Sequence, residues 1–161
     1  LYAPLSAAEV TIAVSLASVT RAVMIAIISI ITFMLIIEIQ ITNYLALIAF
    51  TFLSSFILGN VGIIAGLWSE KFDNMATVTN FVIIPLSFLS GTFYSIERLP
   101  GLLKTISEFN PFFYMIDGFR YSFIGQADGS ITVGLVYLTI LSVVSWFITY
   151  LLYKNGYKIK S

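Results

Sequence analysis

Asp117 and Arg120 stand three residues apart in the stretch PFFYMIDGFR, so on a helix their carboxylate and guanidinium share one face and can pair. Two kinds of chemistry open from that spacing. The pair can neutralise itself and let a charged turn sit near lipid, or Arg120 can offer its donors to an anionic headgroup or phosphate. Glu97 and Arg98 read as a solvated turn. Elsewhere the chain is poor in reactive groups. It has no cysteine and no histidine, which excludes disulfides, thiolate or imidazole metal ligands, nucleophilic dyads that need either residue, and a histidine switch near neutral pH. No GxxxxGK[ST] segment exists, since GLLKT lacks the first glycine and the spacing, so there is no phosphate-cradling loop. No carboxylate cluster suggests a cation or metal site. A secondary carrier would place more ionisable groups in its spans and show internal repetition, and neither is present.

The elements that must position these residues are set by composition. The chain of 161 residues is 59% apolar and 10% charged, whereas soluble domains carry roughly 25% charged residues. So few charges cannot clothe a water-facing surface. A formal net charge of zero removes the basic footprint of a nucleic-acid binder, which leaves membrane lipid as the first partner to expect. Four apolar runs approach or exceed the ~20 helical residues that cross a bilayer core, at about 10–37, 44–67, 76–95 and 131–153. They lack the ten-residue alternation of barrel strands. The expected architecture is an all-α membrane protein, one membrane domain over 1–161 with four transmembrane helices and short interfacial or re-entrant helices between the last two.

Local punctuation refines this plan. Ser6 is placed to cap the first helix, and Arg21 is costly in hydrocarbon unless it snorkels or the segment PLSAAEV lies along the membrane surface and turns into the span, which is the expectation here. Gly59, Gly62 and Gly66 in GNVGIIAG contain a GxxxG pair suited to close helix packing or to a hinge. Pro85, with Ser87, Ser90 and Gly91 beyond it, should bend or break the third run. Lys154, Lys158 and Lys160 follow the last run, which places the C-terminus in the cytoplasm and the segment 97–125 outside.

That outer segment divides in two. Leu99, Leu102, Leu103 and Ile106 keep the spacing of one helical face, with Pro100 suited to the first turn. Asn110 and Pro111 then stop this helix and cap a second one. Neither piece is long enough to cross. Phe88, Phe93, Tyr94, Phe112, Phe113 and Tyr114 gather around the break, an interfacial belt or a surface for stacking sugar rings.

The run PLSFLSGTFYSIERLPGLLKTISEFNPFFYMIDGFR resembles the region after the penultimate helix of ABC-2 type permeases, the membrane subunits of ATP-binding cassette exporters. The likeness falls on Ser90, Gly91, Phe93, Tyr94, Leu99, Pro100, Asn110, Pro111 and Arg120. YAPLSAAEV with VTRAV is similar to that family's cytoplasmic segment entering its third helix, and SEKFDNMATVTNF to its loop between the fourth and fifth. Ser95 stands where the family often has proline. The family's six spans imply two more upstream of a chain that begins LYAPLS, without an initiator Met or a secretory signal.

The resemblance implies a complex of two permeases and two ATPase subunits, with ATP and Mg held by the partner and no catalytic residue, cofactor or metal in this chain. Pro4, Leu5, Ser6 and Glu9 would form the ATPase-coupling surface. Gly91, Phe93, Tyr94, Leu99, Pro100, Asn110, Pro111, Asp117 and Arg120 would form the outer gate. A polysaccharide or glycolipid precursor is the expected cargo, in the inner membrane of a bacterium, with a drug or toxin as the alternative. Other readings are a non-transporting structural subunit and an ion-driven carrier.

Overall fold

The structure is a computed structural model and describes residues 5–38, 40–69, 72–92 and 100–156. Its elements are α1 (Ala7–Ile36), α2 (Tyr44–Trp68), α3 (Phe72–Val78), a π-helical turn (Thr79–Ile83), α4 (Ile84–Phe88), α5 (Gly101–Phe109), α6 (Pro111–Ile124) and α7 (Ile131–Lys154). No strand occurs among the described residues. Three helices, α1, α2 and α7, are long and apolar enough to cross a membrane, and Ala76–Phe88 is a shorter apolar helix.

Ser6 and Glu9 start α1 through a reciprocal capping box. The Ser6 Oγ accepts from the Glu9 N–H at 3.3 Å, and the Glu9 carboxylate accepts from the Ser6 N–H at 2.7 Å. Helix α1 then continues to Ile36 without interruption, which corrects the expected turn between a surface helix and the first span. The physical reason is local. No glycine or proline lies between Ala7 and Ile36, and Thr11, Ser15, Ser18, Thr20 and Thr32 each donate to a carbonyl four residues back, so their hydroxyls need no partner outside the helix. Thirty residues rise about 45 Å, some 15 Å more than the hydrocarbon core is thick. An overhang at the Ser6 end brings the exposed Arg21 within snorkelling reach of the interface.

The third apolar run ends earlier than its hydropathy suggests, at Phe88 rather than near residue 95, and turns at Gly91, whose φ of 76° lies in the left-handed region. The bend expected at Pro85 takes a specific form. Pro85 has no N–H and its ring crowds the carbonyl four residues earlier; immediately before it the chain widens into the π turn, where the Ile84 N–H reaches back to the Thr79 carbonyl.

Helices α1, α2 and α7 pack side by side, and α6, too short to cross at about 21 Å, is wedged between α2 and α7. The core lies where these last three meet: Ala46, Phe50 and Ile57 of α2, Met115 of α6 and Leu138 of α7. Large apolar side chains elsewhere on α1, α2 and α7 point outward, the arrangement a hydrocarbon solvent permits.

Candidate functional site

At the C-terminal end of α4 the Pro85 and Ser87 carbonyls accept from Leu89 and Ser90, which leaves the Leu86 carbonyl free for a partner from the start of α6. Asn110, buried at the corner between α5 and α6, donates from Nδ2 to the Leu86 carbonyl at 2.6 Å, while its Oδ1 caps α6 by accepting from the Phe112 N–H at 3.0 Å. Pro111 follows at the first helical position, where a missing N–H removes nothing. Nearly three turns further on, Arg120 donates from Nη2 to the Gly91 carbonyl at 2.7 Å. One side chain thus takes a carbonyl within α4, and a second holds the turn that follows it at Gly91.

Arg120 is itself held by two carboxylates. Its Nη1 lies 2.8 Å from Asp128 and 3.5 Å from Asp117. Asp117, only 2% exposed, also accepts from the backbone N–H groups of Asp128 at 2.7 Å and Gly129 at 2.9 Å. Its two oxygens therefore fix the loop that returns the chain from α6 to α7. Gly125, in the left-handed conformation at φ 70°, ends α6 and directs the chain into this loop. The cluster of Asp117, Arg120 and Asp128 carries a formal charge of −1 and ties together three segments: the turn after α4, α6, and the loop before α7. Of the two roles open to Arg120, the geometry corresponds to pairing, since its guanidinium already meets two carboxylates and a carbonyl.

Aromatic rings line the α5 side of the same junction. Phe113 and Tyr114 lie 5.0 Å apart between ring centres, Tyr114 and Tyr137 5.1 Å, and the Tyr137 hydroxyl donates to the Phe109 carbonyl at 2.8 Å. Burial, followed by the carboxylate of Glu108, raises the Tyr114 phenol above its ordinary pKa. Phe113 and Tyr114 border a cleft of about 200 Å³ that Lys104, Glu108 and Asp128 also line. Helix α5 keeps its amphipathic pattern, but Leu102, Leu103 and Ile106 are exposed, so its apolar face is free to meet lipid.

Comparison with known proteins gives this arrangement a family. The ABC-2 type transporter model matches residues 1–124. The chain belongs to the ABC-2 type transporter family. It is 33% identical over 109 residues to the inner membrane transport permease YadH of Escherichia coli K12, covering 68% of the chain and 43% of that protein. It is 26% identical over 90 residues to nodulation protein J of Rhizobium leguminosarum bv. viciae, covering 56% of the chain and 35% of that protein. The chain thus matches less than half the length of these curated relatives. No solved structure matches it. Together with its three long apolar helices, the family membership makes it an integral inner-membrane protein.

Within this ABC-2 chain, Gly91, Asn110, Pro111, Asp117 and Arg120 come together at one junction, whereas Pro100 stands exposed at the start of α5. Phe93, Tyr94, Ser95, Glu97, Arg98 and Leu99 lie outside the described residues, as does Pro4 at the opposite end. Leu5 is exposed, and Ser6 and Glu9 are engaged with each other. The close approach expected of the GxxxG pair falls elsewhere within the chain. A Cβ at Gly62 or Gly66 would meet nothing within 4 Å, while one at Gly59 would come within 2.6 Å of the Ser18 Cβ. Gly118 is tighter still, seated directly on the Phe50 ring.

Sequence reasoning missed Asp128 and Gly129, although the Asp-Gly pair is itself a turn signal. It also missed Asn60, fully buried in α2, whose Oδ1 accepts from the Ser15 Oγ at 3.2 Å and whose Nδ2 donates to the Phe56 carbonyl at 2.8 Å. An amide in an apolar run is the signal that would have found it.

Proposed function

We propose that the chain is the membrane-spanning permease part of an ATP-driven exporter, working with a separate ATP-binding cassette subunit and as one of two permease copies. The observation that carries this is the family match over residues 1–124, which includes both the capped start of α1 and the α4–α6 junction. In this reading the Lys154 end faces the cytoplasm, in keeping with the lysines beyond α7, and Leu5, Ser6 and Glu9 receive motion from the ATPase. The α4–α6 junction is then the gate on the far side. Its Asp117–Arg120–Asp128 cluster sets the closed position by holding the turn at Gly91.

The cargo we assign is an amphipathic glycan, a polysaccharide or glycolipid precursor. Aromatic faces beside carboxylates, as at Tyr114, Glu108 and Asp128, suit sugar rings and their hydroxyls. The decisive experiment is ATPase stimulation in the reconstituted full complex. A lipid-linked glycan should raise hydrolysis and a hydrophobic cationic drug should not; the reverse result would assign the complex to drug or toxin efflux. Coupling is tested at the other end. Leu5→Asp should weaken co-purification of the ATPase, whereas Glu9→Gln, which keeps the capping box, should leave helix α1 intact and isolate the effect of the charge. Unchanged association in both would remove the coupling role.

A further inference from the structure

A cavity of about 670 Å³ opens beside the segment that joins α1 to α2, within the size range of ligand pockets. Its walls are Ile30 and Phe33 of α1, Leu47 of α2 and Phe123 of α6, and its mouth carries Glu38 and Gln40. A second cavity of about 280 Å³, reaching Val23 and Phe52, shares Ala26, Ile30 and Leu47 with the first. The two form one groove along α1. From Phe33 to Val23 it runs about 15 Å along α1, matching about 15 Å for half of a bilayer's hydrocarbon core.

Polarity along the groove is graded. Glu38 is its single charged group, no cation lines either cavity, and neither ion pair found among the described residues involves Glu38. The wall is otherwise apolar except for the Ser29 hydroxyl and, at the deep end, Thr51, which donates internally to the Leu47 carbonyl at 2.6 Å. The mouth is also held in place. The Thr42 and Asn43 N–H groups donate to the Ser122 carbonyl at 2.9 and 3.0 Å, and the Thr42 hydroxyl donates to the Phe123 carbonyl at 2.7 Å. Those carbonyls belong to the last turn of α6, so the end of one helix fixes the entrance formed by two others.

We propose that this groove holds an acyl chain of a membrane lipid whose headgroup bears an ammonium and no net negative charge. The chain lies along Phe33, Ile30 and Ala26, and the ammonium meets the Glu38 carboxylate. An anionic headgroup finds no cation at the mouth and is repelled by Glu38. The lipid comes from the leaflet at the Glu38 end, and the inference does not depend on what the complex exports.

The test uses the full-length permease in nanodiscs of equal parts phosphatidylethanolamine and phosphatidylglycerol, with retained lipid measured by native mass spectrometry. Wild type should retain phosphatidylethanolamine severalfold over phosphatidylglycerol, Glu38→Gln should abolish the preference, and Glu38→Lys should reverse it. Ala26→Phe, which narrows the groove where the two cavities meet, should lower retention of both. Should that variant fold poorly, a phosphatidylethanolamine with a photoreactive acyl chain gives a second readout on wild type. Labelling concentrated at Ile30, Phe33 and Phe123 supports the groove. Labelling no stronger there than at Val143 and Phe147 overturns it, as does a headgroup preference indifferent to Glu38→Lys. A cross-link between Phe33→Cys and another helix of the permease, or a second copy, would show the groove filled by protein and would also overturn it.

Discussion

The two ends of the helical bundle are held by different forces. At the Glu38 end, a buried carboxylate, a guanidinium and a second carboxylate bind loops to α6, and glycines let helices touch aromatic rings. Toward the Lys154 end the buried polar groups are small and neutral: Thr11, Ser15 and Asn60 on α1 and α2, and Ser145 and Thr149 on α7. Most of those hydroxyls satisfy themselves within their own helix, so they let helices approach closely without fixing their register strongly. Ser54 and Ser142, buried without a hydrogen-bond partner, add little to hold that seam. One end is therefore pinned by charge, and the other is held by the close packing of small, mostly neutral side chains.

Changes at four positions test this contrast, the first three read by thermal unfolding in detergent. The largest effect should come from Asp117→Ala, which strands two loop N–H groups and half-unpairs Arg120; a loss of about 3 kcal/mol is expected. Gly118→Val should remove about 2 kcal/mol by driving a side chain into Phe50. In a Phe50→Ala background, itself less stable by about 3 kcal/mol, the same change should cost much less, and an undiminished cost would mean that Gly118 matters for its backbone and not for its space. At the neutral end, Asn60→Ala should lose only about 1 kcal/mol. A loss as large as that of Asp117→Ala would erase the distinction between the ends. Smallest of all, Ser6→Ala should lose about 0.5 kcal/mol, confined to faster amide exchange in the first turn of α1.

Legibility in the sequence followed the same division. Helices announced themselves, because uninterrupted apolar runs need no tertiary information to be recognised, and the caps at Ser6 and Asn110 are local chemistry. The length of the third run was misjudged because hydropathy cannot register that Leu89 to Gly91 already turn. Arg21 pointed to a surface helix only because the charge was weighed without the overhang that a thirty-residue helix permits. At the junction, Asp117 and Arg120 were visible as an i, i+3 pair. Asp128 and the Gly91 carbonyl were not, since each reaches Arg120 through chain folding and no spacing encodes it. The groove was invisible for the same reason: Glu38 read as a polar boundary until α6 was seen beside it.

Helix α1 has one further implication. A rod without hinge, glycine or proline transmits a tilt at its Ser6 tip to its Ile36 tip with little lost to bending. A small displacement at the first turn would therefore reappear, about 45 Å away, as motion of the wall that faces α6. Among the described residues α1 is the longest helix, and so the longest such lever.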